Sequence, residues 1–502
     1  MSFAARLEQA RLRDADTDTI ADLARDALAQ GEEERALPLM VAAADQRSDP
    51  LLWQWAALLN RSLDQHEVAM ECFASAAAMM PANAKVAHGH AHTAFEAGLD
   101  ATMLFEQALR LAPQDPAIVL GLTAARMAAG QSTRALSDLE AMLERAPLWI
   151  QGHLQFAQMQ SLLGNPSALY TSLDRAIASH PREPSLWLAR CDLALRQEAY
   201  DQLPAALGQA EAVGVPGVAL DFYRAVAAGE LGDPHADELL SDGAVTANPV
   251  LAIWRVRHLL RQGRAADALR LIDRELESDR STAAWPYAAT AWRLAEDPRS
   301  AWLEDQSGMV SIVDLDEEIG PIAPLADRLR SFHQRSGQYL DQSVRGGSQT
   351  DGPLLSRIEP EIRQLRSVIV GAVERHRAQL PPADTRHPLL APPRDRRIRF
   401  SGSWSVRLRG HGHHSNHVHP QGWISSALYV ALPQRRAGEA PDSSCLVLGE
   451  PPEGLGLGLP PHTKIEPKVA RLVLFPSWMW HGTRPFAEGE RLTVAFDVAS
   501  PR

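Results

Sequence analysis

The stretch HGHHSNHVHP, residues 411–420, carries five histidines within nine positions. Imidazole is the commonest protein ligand for transition metals, and it is also an ordinary polar loop residue. Spacing sorts the five. Residues two apart on an extended chain point to the same side. An extended backbone entering ISSALYV therefore projects His417 and His419 together and turns Val418 away. His414 is out of phase with that pair. His411 and His413 share its parity but sit among Gly410 and Gly412, where a regular strand is not expected. The spacing favours an H-x-H pair at 417 and 419, with His411, His413 and His414 as loop residues. A pair alone is not a metal site. Downstream, LFPSWMWHGTRPF places His481 after a strongly apolar run, in a turn closed by Gly482. Ten residues further on, Arg491 opens RLTVAFDV, with Thr493 on the same strand face.

Such residues need rigid elements to aim them. Past LPPADTRHPLLAPPRD the chain becomes a series of short runs: RIRFSGSWSVRLRG, ISSALYVALP, CLVLGE, RLVLFP and RLTVAFDV. Short strands separated by Gly, Pro and charged turns predict an antiparallel sandwich or barrel. Ahead of them, MVSIVDLDEEIG leads into helical segments near 324–336 and 359–378. Between those helices lies the polar, glycine-bearing DQSVRGGSQTDG (341–352), which reads equally as an ordinary loop. The acidic run at 314–318 reads as a solvated helix start. Trp404, Trp423, Trp478 and Trp480 read as barrel wall.

The first 290 or so residues have a different texture, rich in Ala, Leu, Arg and Glu with helical periodicity. Prolines at 50, 81, 113, 147, 181, 216 and 249 break it every 31–35 residues, and Gly98, Gly130, Gly164, Gly232 and Gly263 keep time between them. A period near 34 with one helix–turn–helix per unit resembles the tetratricopeptide repeat. The pairs Ala69…Phe73, Ala101…Phe105, Ala135…Leu139 and Ala268…Ile272 fit its small–large signature. Six or seven stacked pairs would form a solenoid with a concave groove. A non-repetitive helical bundle is the plainer alternative.

Composition bounds the function. A net charge of −12 over 502 residues argues against general nucleic-acid or anionic-membrane binding. No run approaches the roughly 20 apolar residues that cross a bilayer, and MSFAARLEQARLRDADTDT has no apolar signal core. Cys72, Cys191 and Cys445 lie far apart and read as reduced, buried thiols. These features point to a cytoplasmic address. There is no Walker A loop, no H-E-x-x-H and no G-x-S-x-G elbow.

The blocks GSWSVRL…HVHPQGWISSALYVALP…GEPP…RLVLFPSWMWHGTRPF…RLTVAFDV resemble the 2OG-Fe(II) oxygenases that follow tetratricopeptide repeats in bacterial proteins. The resemblance covers roughly residues 300–502. It implies an α+β multidomain chain. An all-α repeat solenoid (1–295) precedes a double-stranded β-helix domain of the jelly-roll or cupin kind (296–502), with flanking helices and a core from about 396. It implies Fe(II) and 2-oxoglutarate as cofactors. His417, His419 and His481 would be the metal ligands, and Arg491, Thr493 and Tyr429 the contacts to the remote carboxylate of the cosubstrate. Tyr429 reads equally as a packed wall residue. Arg345 and Gln349 are candidates to face the substrate. The position usually held by Asp or Glu is His419, so either a third imidazole ligates or water fills that place. The implied activity is hydroxylation of a C–H bond in a peptide, protein or small molecule, with a peptide or protein ligand in the repeat groove. The rivals are a repeat scaffold with a non-catalytic oxygenase fold, and a cupin-like metalloenzyme that does not use 2-oxoglutarate.

Overall fold

The computed structural model describes residues 2–12, 15–241, 249–277, 282–333, 337, 340 and 343–501. Residues 334–336 of the first expected helix and 341–342 of the polar segment lie outside the described residues.

The amino-terminal half is an all-helical, tetratricopeptide-like array. Helices start at Pro50, Ala84, Pro116, Ile150, Pro184, Gly217 and Pro249, each at or within three residues of an expected proline break. Proline suits these places because the first turn of a helix has no use for its missing N–H. The expected glycines sit at the turns with left-handed backbone, Gly98 at φ +82° and Gly130 at +76°. Such a turn strains any residue with a Cβ. The pair Thr17–Gln30 and Glu33–Arg47 precedes Pro50 and is capped by Asp16, so no proline marks it. Aromatic rings fill the gaps between units. A Cβ on Gly121 would fall 2.2 Å from the Phe105 ring, and one on Gly89 would fall 2.6 Å from Phe73. The large residue of one helix thus packs against a bare backbone in the next unit.

The carboxy-terminal half is built on two antiparallel sheets. The strands are β1 (Ser311–Asp314), β2 (Val344–Gln349), β3 (Phe400–His414), β4 (Gly422–Ala431), β5 (Leu446–Leu448), β6 (Thr463–Ile465), β7 (Arg471–Pro476), β8 (His481–Thr483) and β9 (Glu490–Ala499). The larger sheet runs β1-β7-β4-β9-β3-β2 and the smaller runs β6-β5-β8. This is the jelly-roll arrangement expected from the five long apolar runs, which are β3, β4, β5, β7 and β9. The polar 341–352 segment supplies a strand, β2, rather than only a loop. It pairs with β3, with a register shift between Arg345 and Gly347. Helices Ile322–Phe332 and Pro360–Gln379 share a core with the sheet. His333 bridges Ser348 (2.9 Å) and Ser405 (3.1 Å), joining the helix end to β2 and β3.

The solenoid lies against the sheet region along its turns. Arg396 meets Glu32 at 2.8 Å, Arg366 meets Asp64 at 2.8 Å and Arg363 meets Glu67 at 2.5 Å. The Ile358 N–H donates to Ala97 O at 3.2 Å. Arg345 approaches Glu198 at 3.8 Å. Arginines stand on the sheet side and carboxylates on the turns. Trp480 donates its indole N–H to Thr290 Oγ1 at 3.0 Å, so the last helices join the same core.

Two outcomes follow from this packing. Phe105→Ala removes a fully buried ring and should cost about 3–5 kcal/mol, read as an earlier midpoint in urea unfolding of the repeats. His333 and His376 are both pushed down to about 4 by burial. Between that value and their ordinary 6.5 the unfolded chain holds protons the native chain lacks, so stability must fall as pH drops from 6.5 toward 4. Glu304, pushed up to about 7 by burial, has the opposite sign. Denaturation midpoints at pH 7.5 and 5.5 should therefore differ less in His376→Gln than in the parent.

Candidate functional site

The histidine run divides differently from the spacing rule. Strand β3 continues through His411, His413 and His414, so these are strand residues and not loop residues. The strand accommodates them by distorting. His411 takes φ +65°, and its N–H donates to Phe486 O at 2.7 Å. Beyond His414 the chain leaves the sheet. His417 exchanges both backbone hydrogen bonds with His481, at 2.9 and 3.0 Å, and the His419 N–H donates to Ser477 O at 3.0 Å. The H-x-H pair is thus held by bonds to the chain around β8 and not by a strand of its own. His481 opens β8 instead of lying in a turn.

These bonds bring three rings together. Ring centroids of His417 and His481 are 4.2 Å apart, and His419 lies 5.0 Å from each. One ring nitrogen from each of the three lies within 4.8 Å of the others. The far side of every ring faces an acceptor. His417 Nδ1 lies 2.8 Å from Ser415 O, His481 Nδ1 lies 3.0 Å from Met479 O, and His419 Nδ1 lies 2.5 Å from Asp497 Oδ2. An acceptor at Nδ1 places the proton there and leaves the Nε2 lone pair free, the form in which imidazole binds a metal. Burial and the neighbouring imidazoles push His417 down to about 3 and His481 well below the ordinary value. Both rings are therefore neutral at pH 7. The donor set fits a divalent transition metal.

A second feature lies in the same cavity. Arg491, 2% exposed, lines it together with Thr493. The guanidinium sits 5.0 Å from the Tyr429 ring centroid and donates from Nη1 to Ser444 O at 3.0 Å. Its Nε, the Tyr429 hydroxyl and the Ser444 hydroxyl are buried without hydrogen-bond partners. No carboxylate among the described residues forms an ion pair with Arg491. A buried cation without a counter-charge is costly, and so are unpaired polar atoms. An anion with oxygens for these donors relieves both, so the residues fit the remote carboxylate of a dicarboxylate cosubstrate.

The remaining candidates divide. Gln349 pairs in register with Val406, a residue that lines the histidine cavity, and antiparallel partners share a face. Gln349 also lines a cleft of about 590 Å³ between the repeat turns and the sheet region. Its Oε1 is buried and unpaired. Arg345 pairs in register with His413, at the β2 end nearer His417, and reaches toward Glu198. Of the four tryptophans, Trp404 lines the cavity and stacks on the His419 ring at 5.4 Å. Trp423, Trp478 and Trp480 are buried in the surrounding wall.

Two residues that line the cavity and one behind it escaped the spacing rule. His414 lines the cavity, and Ser343 Oγ lies 3.2 Å from its Nδ1 and 3.1 Å from His417 Nε2. Asp497 stands on β9 in phase with Arg491, Thr493 and Ala495. An acid flanked by Phe496 and Val498, at that parity, was the signal available for it.

Residues 402–497 match the protein-family model described as "Putative 2OG-Fe(II) oxygenase". No curated protein matches the chain. Among solved structures, the chain is similar to "YrrB: a TPR protein with an unusual peptide-binding site" at 18% identity, over 38% of this chain and 98% of that one, with a TM-score of 0.29. It is similar to a tetratricopeptide repeat protein from Parabacteroides merdae at 14% identity, over 56% and 98%, with a TM-score of 0.30. It is also similar to a Pseudomonas putida prolyl-4-hydroxylase at 16% identity, over 40% and 98%, with a TM-score of 0.25. The match to the 2OG-Fe(II) oxygenase model thus falls on the strands and the histidine cluster behind an all-helical repeat array.

Proposed function

We propose that this chain is an Fe(II)- and 2-oxoglutarate-dependent dioxygenase that hydroxylates a C–H bond of a peptide or protein substrate, with the repeats (1–295) and the oxygenase domain (296–502) as its two working parts. One observation carries the reading. Arg491 is a buried cation without a carboxylate partner among the described residues, in a cavity that the imidazoles of His417, His419 and His481 also line. A cupin-like metalloenzyme indifferent to 2-oxoglutarate has no use for such a group, and neither has a scaffold that only binds partners.

When bound, Fe(II) and 2-oxoglutarate would supply the oxidising chemistry with O2 as the oxidant, one oxygen atom entering succinate as 2-oxoglutarate loses CO2 and the other becoming the product hydroxyl. The chain supplies position. His417, His419 and His481 hold the metal, with each Nδ1 tied to an acceptor so that the rings do not rotate. Arg491 meets the remote carboxylate with paired hydrogen bonds, and the Thr493 and Tyr429 hydroxyls add to it. Phe475, Leu446 and Val406 line the cavity and keep water from the reacting centre. A peptide is favoured over a small metabolite by the cleft of about 590 Å³ beside β2. Gln349 lines this cleft on the face that Val406 shares with the metal cavity. Its unpaired Oε1 suits a main-chain N–H.

With Fe(II), ascorbate and 2-oxoglutarate, the protein should release succinate slowly even without substrate, and peptide pools should raise the rate. Arg491→Ala should weaken 2-oxoglutarate binding about 100-fold or more, as expected when one member of a buried charge pair is removed, with metal binding retained. An unchanged 2-oxoglutarate titration in that variant would show the anchor to be misassigned. For the metal, Co(II) should give a visible ligand-field spectrum that His417→Ala and His481→Ala abolish. His413→Ala should leave it intact, and a spectrum that survives both ligand variants would refute the assignment.

A further inference from the structure

We propose that Asp497 is a positioning residue that acts through His419 and supplies the negative charge which a two-histidine, one-carboxylate site carries on its third ligand. This rests on the reading of the cavity as a metal centre.

The argument begins with how Asp497 is held. Its carboxylate is buried, 7% exposed, on a strand whose neighbouring residues are apolar. Oδ2 accepts from His419 Nδ1 at 2.5 Å, and Oδ1 accepts from the Ser425 hydroxyl at 2.6 Å. Ser425 Oγ lies 2.9 Å from Ser477 Oγ, and the backbone carbonyl of Ser477 receives the His419 N–H. This cage is tight. A Cβ on Gly422 would fall 2.5 Å from Ser477 Oγ and 3.3 Å from Asp497 Cβ. On the other side, the His419 ring lies nearly parallel to Trp404, at 22°. Among the described residues the one ionisable group paired with Asp497 is His419, so the carboxylate charge is directed at that imidazole.

Charge then explains why the pair exists. A divalent ion on three neutral imidazoles keeps its full charge, whereas two imidazoles and a carboxylate reduce it by one. Asp497 restores that reduction one residue further out. A carboxylate hydrogen-bonded to a ligating imidazole also raises the ligand's basicity and fixes its orientation. With Arg491 and a dicarboxylate cosubstrate in place, the buried charges cancel. Without Asp497 one positive charge is left over in a closed cavity, which is unfavourable.

The test separates charge from packing. Asp497→Asn keeps the shape and one acceptor but removes the charge. Ser425→Ala breaks the cage and leaves the charge in place. Co(II) affinity should fall about 10- to 100-fold in Asp497→Asn and only a few-fold in Ser425→Ala. The Fe(III)/Fe(II) potential should rise in Asp497→Asn alone. The double variant His419→Asp/Asp497→Asn, which moves the carboxylate onto the ligand position, should bind Co(II) more tightly than His419→Asp, even if Asp497→Asn does not fold alone. Equal losses in Asp497→Asn and Ser425→Ala would overturn the proposal, as would a double variant no better than His419→Asp. Parent protein that takes up no Co(II) would overturn the metal reading itself, and this proposal with it.

Discussion

Two backbone hydrogen bonds between His417 and His481 hold the site together. They tie the segment after β3 to the first residue of β8, and so join the end of the larger sheet to the smaller one. A side chain is only as well aimed as the backbone beneath it, and here the two backbones are fixed to each other directly. His419, two residues on, is fixed by a third bond to Ser477 O. Strand β9 then places Arg491, Thr493, Ala495 and Asp497 at alternate positions along one face. The imidazoles and the guanidinium thus come from three separate stretches of chain, and only closure of the fold makes them neighbours.

Burial gives these groups their chemical character. In water an imidazole titrates near neutral pH. In this cavity His417 and His481 are held neutral by desolvation and by the neighbouring imidazoles. Arg491 stays cationic although burial works against its charge, because guanidinium is too strong a base to lose its proton. The result is a neutral, electron-donating wall facing a fixed positive charge across a small space. That polarity admits a metal at one end and a carboxylate at the other.

Much of this was legible in the sequence, for reasons that also mark where legibility stopped. The repeats were visible because proline and glycine recur where a helix must start or a turn must reverse. The helix pair before Pro50 carried no such mark at its start, because Asp16 caps it without proline. Long apolar runs announced β3, β4, β7 and β9. Strands of three or four residues such as β1, β6 and β8 are too short to show alternation. β2 was disguised by Gly346 and Gly347, which suit a register shift and not a regular strand. In the site, parity brought out the 417 and 419 pair and the 491 and 493 pair. It failed for His414, because alternation holds only for regular backbone, and the strand there is distorted at His411. Asp497 was in phase with Arg491 all along. It looked like a strand-end acid until the structure set His419 beside it.

The repeats gain a structural role from the same geometry. β2 is an edge strand of the six-stranded sheet, and an open sheet edge invites unwanted pairing. The chain that follows it, from Ile358 to Arg366, rests on repeat turns at Ala97 and Asp64. Farther along, Arg345 at the start of β2 faces Glu198. Contacts so spread out fix the position of the strand relative to several repeats at once. β2 in turn forms a ladder with the strand that carries Trp404, Val406 and His414, so the repeats meet the neighbour of the strand that backs the histidine cavity.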